Sequence, residues 1–140
     1  MAKTIEGDSG IAFSTAESYH ELVIMAENSG GIDLAPIVTN ITFACELYLK
    51  AIILYKQGSV KPVHSIEELF NQLDEEDKEI IKNSSKIFDW TQFMEELDAA
   101  FVTWRYLYEN CQLNKCFSIS ISDRIRFEVS LKNYYMNIVK

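Results

Sequence analysis

Glu46 and Lys50 are the first side chains whose types and spacing suggest chemistry. They lie four residues apart and are the only charged residues between Leu34 and Tyr55. On a helix, a glutamate and a lysine at this spacing can form an ion pair, and a lone buried charge would be costly. Two roles therefore fit the pair. It either anchors neighbouring helices, or it forms a polar cleft wall where Lys50 meets a phosphate or a partner carboxylate.

The chain contains two histidines, His20 and His64. Histidine titrates near neutral pH, which makes it the usual proton acceptor in acid–base chemistry. His64 stands just before a predicted helix start. It is either a local capping or packing residue or the best available base by residue type.

Arg105 and Asn110 lie five residues apart and form the second polar pair of interest. A guanidinium offers a fixed fork of donors that suits phosphate oxygens. Asparagine can donate or orient a hydrogen bond but cannot take a proton at neutral pH. Arg105 also shares a helical stripe with Asp98 and Glu109, which suits intrahelical ion pairs. Asn110 alternatively fits the C-terminal end of a helix.

The three cysteines, Cys45, Cys111 and Cys116, are an odd number, and Cys45 lies in an apolar segment. This pattern indicates reduced thiols in a cytoplasmic protein. Cys111 and Cys116 have no nearby histidine or second cysteine pair to complete a zinc site. We therefore predict no metal and no cofactor.

The composition is that of one globular domain, with 140 residues, 48% hydrophobic and 24% charged. The formal net charge of −8 excludes a domain-wide basic surface for nucleic acid, so any RNA contact must be local. No apolar run reaches the roughly 18 residues that suggest a membrane span, and no membrane association is predicted.

The scarcity of glycine and proline, with five and two residues, favours long helices. Capping-box patterns at Ser65 and Asp89 predict helix starts, and Gly58 predicts a helix end. Ser14 or Thr15 is expected to cap the first helix. The predicted helices cover residues 13–27, 36–57, 65–73, 75–82, 91–109 and 123–139, with Asn83-Ser84-Ser85 as a break.

These elements predict an all-α fold, an up-and-down helical bundle of four main helices with a short helical connector. Residues 1–10 are expected to be a flexible N-terminal tail and residues 11–140 a single helical domain. The nearly chargeless second helix should be the buried centre of the bundle.

Three segments together resemble the HEPN (higher eukaryotes and prokaryotes nucleotide-binding) superfamily. Residues 40–52 carry a Glu-Leu-x-x-Lys-Ala helix, residues 63–70 a His-x-x-x-x-Leu connector, and residues 100–109 an aromatic-rich Arg-Tyr-x-Tyr-Glu segment. The resemblance implies a bundle of four or five helices that often forms a homodimer. Many members are metal-independent ribonucleases of toxin–antitoxin or phage-defence systems, and others are binding or scaffolding modules.

In the nuclease members, an arginine is followed a few residues later by a histidine. Arg105 takes the arginine position here, but Asn110 stands where the histidine is expected, and Tyr106 replaces a small polar residue. The resemblance thus makes Arg105 and Asn110 the candidate catalytic pair, with Glu46, Lys50, His64 and Tyr106 as candidate ligand-binding residues.

Two functions follow as hypotheses. The first is a dimeric module with a degenerate nuclease motif that binds a protein partner, such as an antitoxin, or a nucleotide- or RNA-like ligand. The missing histidine and the acidic charge favour it. The alternative is a metal-independent ribonuclease, a toxin–antitoxin or phage-defence effector, that uses Arg105.

Overall fold

The computed structural model describes the backbone over residues 4–29, 34–105 and 121–140, and the side chains over 4–29, 37–97 and 122–140. Within these ranges the chain forms helices and one short strand pair. The helices are α1 (Ser9–Ser29), α2 (Leu34–Gln57), α3 (Ile66–Phe70), α4 (Glu75–Ser85), α5 (Trp90–Arg105) and α6 (Ile121–Ile138). The strands are β1 (Ile5–Glu6) and β2 (Ser59–Val60), which pair antiparallel.

Helix α2 is the centre of the fold, as its apolar sequence predicts. It contacts α1 most extensively, and it also packs against α6, α3, α5 and β2. Its inward residues are fully buried, among them Ile41, Tyr48 and Ile52. The helix ends at Gln57 because Gly58 adopts a left-handed conformation, with φ of 79°, that glycine accepts without steric cost.

By length and composition alone, the stretch Ile37–Gln57 of α2 could also cross a membrane, with a mean hydropathy of 1.6. However, 61% of that window is buried inside the fold. A helix that is apolar on nearly all sides and covered by other helices is what the core of a bundle requires.

The N-terminal segment differs from the predicted tail. Ile5 pairs with Val60 in the β1–β2 ladder, and α1 begins at Ser9. Asp8 caps α1, because its carboxylate accepts a hydrogen bond from the Ile11 backbone N–H at 3.0 Å. The predicted caps Ser14 and Thr15 lie inside the helix instead.

The predicted capping signals hold at two helix starts. The Ser65 hydroxyl accepts a hydrogen bond from the Glu68 N–H at the start of α3. The Asp89 carboxylate accepts one from the Gln92 N–H at 3.1 Å, before α5. These local patterns work because the side chain and the backbone group that it caps lie three residues apart.

The predicted break at residues 83–85 is wrong, since α4 continues to Ser85. The Ser85 hydroxyl donates to the Ile81 carbonyl at 2.7 Å, and Ser85 is fully buried. Ser84 hydrogen-bonds Ser130 of α6. The helix ends at Ser85 because the next residue, Lys86, takes a left-handed conformation.

The long helices α1, α2, α5 and α6 and the shorter α3 and α4 confirm the predicted all-α fold with a helical connector. An aromatic cluster joins α3 to α5 and α6. Trp90 lies 5.2 Å from Phe70 and 5.6 Å from Phe127, measured between ring centroids. Phe93 completes the cluster against Phe127.

Candidate functional site

Glu46 and Lys50 form the expected ion pair on α2. The Lys50 Nζ atom lies 2.9 Å from Glu46 Oε2. The side chain of Lys50 is 18% exposed and that of Glu46 is 13% exposed, so both are mostly buried but still reach solvent. A half-buried pair of this kind compensates each charge while keeping it accessible.

His64 lies in the loop between β2 and α3 and bonds to the same carboxylate. Its Nδ1 atom lies 3.1 Å from Glu46 Oε2, the oxygen that also accepts from Lys50. The His64 side chain is 86% exposed. A carboxylate only accepts hydrogen bonds, so the Nδ1 atom of His64 is the donor in this contact. The structure therefore brings together three predicted ligand-binding residues.

The fold positions this trio by simple means. Glu46 and Lys50 are one helical turn apart on a face of α2, and the turn after Gly58 brings the connector back along that helix. The Lys61 backbone N–H donates to Gln72 Oε1 at 3.0 Å, and the Gln57 amide donates to the Gln72 carbonyl. These bonds hold the loop that carries His64 against the end of α2.

The other predicted site residues lie outside the side-chain description. Arg105 is the last described residue of α5, and its side chain is not among those described. Asn110 and Tyr106 fall in the segment 106–120, beyond the described residues. Helix α5 does contact α2, so the helix that carries Arg105 packs against the helix that carries Glu46 and Lys50.

A second histidine–glutamate pair is buried and was not predicted. His20 of α1 bonds through Nδ1 to Glu128 Oε1 of α6. His20 is 9% exposed and Glu128 is fully buried. The bond to Glu128 raises the pKa of His20, and burial raises the pKa of Glu128. The two residues are 108 positions apart, so no local signal links them.

Arg124 extends the buried polar region along α6, one turn before Glu128. It is 1% exposed, and burial lowers the pKa of its guanidinium. Its Nη1 atom and the Glu128 Oε2 atom have no hydrogen-bond partner among the described groups. Cys45 lies in the same interior, where burial raises the pKa of its thiol and so disfavours the reactive thiolate.

A third polar cluster ties α2, α4 and α6 together. Lys56 Nζ lies 2.7 Å and 2.9 Å from the two carboxylate oxygens of Asp77. The Tyr134 hydroxyl also donates to Asp77. Burial and the bond to Asp77 raise the pKa of Tyr134 to about 12. Asp77 is 3% exposed, so this cluster is a structural tie between helices.

No group of three metal-binding side chains occurs in the part of the chain that the structure describes. Cys111 and Cys116 lie outside that part. The Glu46–Lys50–His64 trio is unsuited to a metal, because the Lys50 ammonium already binds the Glu46 oxygen that would have to coordinate it.

Comparison with known proteins shows a match to one family model. The model of the HEPN domain family matches residues 14–124, which covers most of α1, all of α2 to α5 and the start of α6. No curated protein and no solved structure matches significantly. The matched region contains the Glu46–Lys50–His64 trio, Arg105 and Asn110. The chain belongs to the HEPN domain family.

Proposed function

We propose that this chain is a non-catalytic HEPN module that binds a nucleotide- or RNA-like ligand through a phosphate at Lys50 and His64. One observation carries the proposal. A single oxygen of Glu46 holds the Lys50 ammonium at 2.9 Å and the His64 imidazole at 3.1 Å, while the imidazole stays 86% exposed. The carboxylate thus holds both nitrogen groups close together.

The chemistry of these groups suits a phosphate oxygen. An ammonium has three donors and Glu46 uses one of them, and the exposed Nε2 of a protonated His64 adds another donor. The net charge of −8 opposes long-range attraction of a polyanion. The favoured ligand is therefore small, a nucleotide or the phosphorylated end of a short RNA, held by short-range contacts.

The absence of catalysis follows from the residue at the motif position. Ribonuclease chemistry without a metal needs a group that accepts the proton of the ribose 2′-hydroxyl, and Asn110 cannot accept it at neutral pH. With Asn110 in place of the motif histidine, the proposed site binds a phosphate but lacks the base.

Direct binding measurements test this proposal. Calorimetric titration with AMP and with a 5′-phosphorylated oligoribonucleotide should show binding that Lys50→Ala weakens about tenfold or more. Lys61→Ala is the matched control, since Lys61 is an exposed lysine on the same connector and should change the affinity less than about twofold. Equal losses in the two variants, or no binding of either probe, would overturn the proposal.

A metal-independent ribonuclease is the second candidate, and the His64 geometry favours it. A carboxylate that fixes the Nδ1 proton and leaves Nε2 unprotonated is the arrangement of a general base. If His64 acts as that base, the purified protein cleaves RNA without added metal, and both His64→Ala and Arg105→Ala abolish cleavage. Intact RNA after long incubation at high protein concentration excludes this role.

The Asn110→His variant separates the two candidates. Under the first proposal this change restores the motif histidine and turns RNA cleavage on in a previously inactive protein. Under the second proposal the wild type already cleaves, and the variant changes the rate without creating the activity.

We also propose that the module is a cytoplasmic homodimer that works in a toxin–antitoxin or phage-defence system. Ile11, Leu22 and Met25 of α1 are 65%, 50% and 64% exposed. At 100° per residue they lie within about 60° of one another on the outer face of the helix. Such an apolar stripe suits a symmetric interface. Light scattering should give twice the chain mass, and Leu22→Glu with Met25→Glu should give a monomer.

A further inference from the structure

A groove between α3, α4 and α5 lies apart from the Glu46–Lys50–His64 trio. Its volume is about 250 Å³, and its floor is built from Phe70, Trp90 and Met94. Small-molecule pockets usually begin at roughly 300 Å³ and are more enclosed. The groove therefore has room for one or two side chains of a protein segment.

The rim of the groove has a net charge of −1, from three glutamates and two lysines. Glu67, Glu75 and Glu79 line it, and all three are exposed. The two lysines on the rim are already engaged. Lys78 pairs with Glu75 at 2.7 Å, and Lys82 lies over the Trp90 ring. Negative charge around an apolar floor repels nucleic acid and attracts a cationic segment.

The Trp90 ring already accepts a cation within the chain. The Lys82 Nζ atom lies 6.0 Å from the Trp90 ring centroid, at the outer limit of a cation–π contact. Trp90 also contacts the rings of Phe70, Phe93 and Phe127. The indole is thus fixed by aromatic neighbours, and the face over which Lys82 lies suits a guanidinium from another protein.

We infer that this groove is a docking site for a basic, amphipathic segment of a protein partner. One arginine of the segment stacks on Trp90 in place of Lys82, and a neighbouring apolar side chain fills the floor beside Phe70 and Met94. The carboxylates of Glu67 and Glu79 face the other cations of the segment. The net charge of −8 favours the encounter.

The probe is a synthetic helical peptide that carries arginine and leucine on one face, with a second peptide in which glutamate replaces arginine. Titration calorimetry on the full chain should detect the basic peptide alone. Glu67→Lys with Glu79→Lys should weaken its binding about tenfold or more. The matched control is Glu68→Lys with Glu76→Lys, which makes the same charge change on the same two helices outside the groove. It should cost less than about threefold.

A pair of lysine variants tests the stacking contact. Lys82→Gln removes the internal cation from Trp90 and should tighten peptide binding several-fold more than Lys86→Gln, which removes an equal charge outside the groove. Circular dichroism checks that every variant is folded.

Three outcomes would overturn the docking site: no binding of the basic peptide, equal losses in the groove and control pairs, or equal effects of the two lysine variants. A fourth outcome reassigns the groove. If Glu67→Lys with Glu79→Lys changes the oligomeric state without peptide, the occupant is a second copy of this chain. Nucleotide binding at Lys50 is independent of all these results.

Discussion

The two histidines of this chain form the same contact in opposite environments. Each bonds through Nδ1 to a glutamate, His20 to Glu128 and His64 to Glu46. His20 is 9% exposed, whereas the His64 side chain is 86% exposed. The same pair of residue types therefore serves as an interior tie between α1 and α6 in one place and as an accessible polar group in the other.

The partners of each pair explain the difference. Glu128 is fully buried and bonds to His20 of α1, so its charge must be balanced inside the protein. The charge of Glu46 is balanced by Lys50 on the same helix, and both side chains reach solvent. Burial thus assigns the first pair to stability, and the exposed His64 ring of the second pair is accessible, as the proposed phosphate site requires.

Removing the buried carboxylate should have the largest effect. Glu128→Ala leaves His20 in the core without its acceptor, and loss of one partner from a buried pair costs about 3–5 kcal/mol. Urea unfolding followed by circular dichroism measures the loss. If Glu128→Ala is as stable as the wild type, the interior pair has no structural role.

A smaller effect is expected from pH. The pKa of His20 is raised from 6.5 in the folded protein by its bond to Glu128, so the folded state holds this proton more tightly than the unfolded chain. The stabilisation is complete below about pH 6.5 and is lost as the pH rises through the raised pKa. The difference in unfolding free energy between wild type and His20→Gln should shrink over that range. A difference that grows with pH would contradict this assignment.

The smallest change in stability should come from the exposed pair. Glu46→Ala removes the mostly buried acceptor that Lys50 and His64 share, and leaving a buried donor unsatisfied costs about 1–3 kcal/mol. Ligand affinity should fall far more than stability, because Lys50 and His64 lose the group that orients them. Unfolding and AMP titration of the same variant give both quantities. A loss of several kcal/mol in unfolding would make Glu46 a core residue instead.

Local signals made much of the fold predictable. Gly58, Ser65 and Asp89 mark helix boundaries through groups only a few residues away, and the chargeless run of α2 marks the core. The Glu46–Lys50 pair is likewise a one-turn contact. The sequence also named His64, although only the structure shows that it meets the same oxygen as Lys50.

Contacts between distant parts of the chain were not predictable in this way. The pairing of Ile5 with Val60 orders a segment whose polar composition suggested a tail. The serines at 84 and 85 suggested a break, yet buried partners on α4 and α6 satisfy their hydroxyls. His20 and Glu128 meet only through the packing of α1 on the core. These contacts depend on tertiary packing, which cannot be read from a short stretch of sequence.

The most direct test of the account is a titration observed at both imidazole rings. The chain has only two histidines, so a nitrogen-detected NMR spectrum of the ring nitrogens resolves one exposed and one buried ring. Addition of AMP should shift the Nε2 signal of His64 and leave His20 unchanged. A saturating titration that leaves His64 unmoved, or that moves His20 alone, would contradict the claim that the exposed pair is the ligand site.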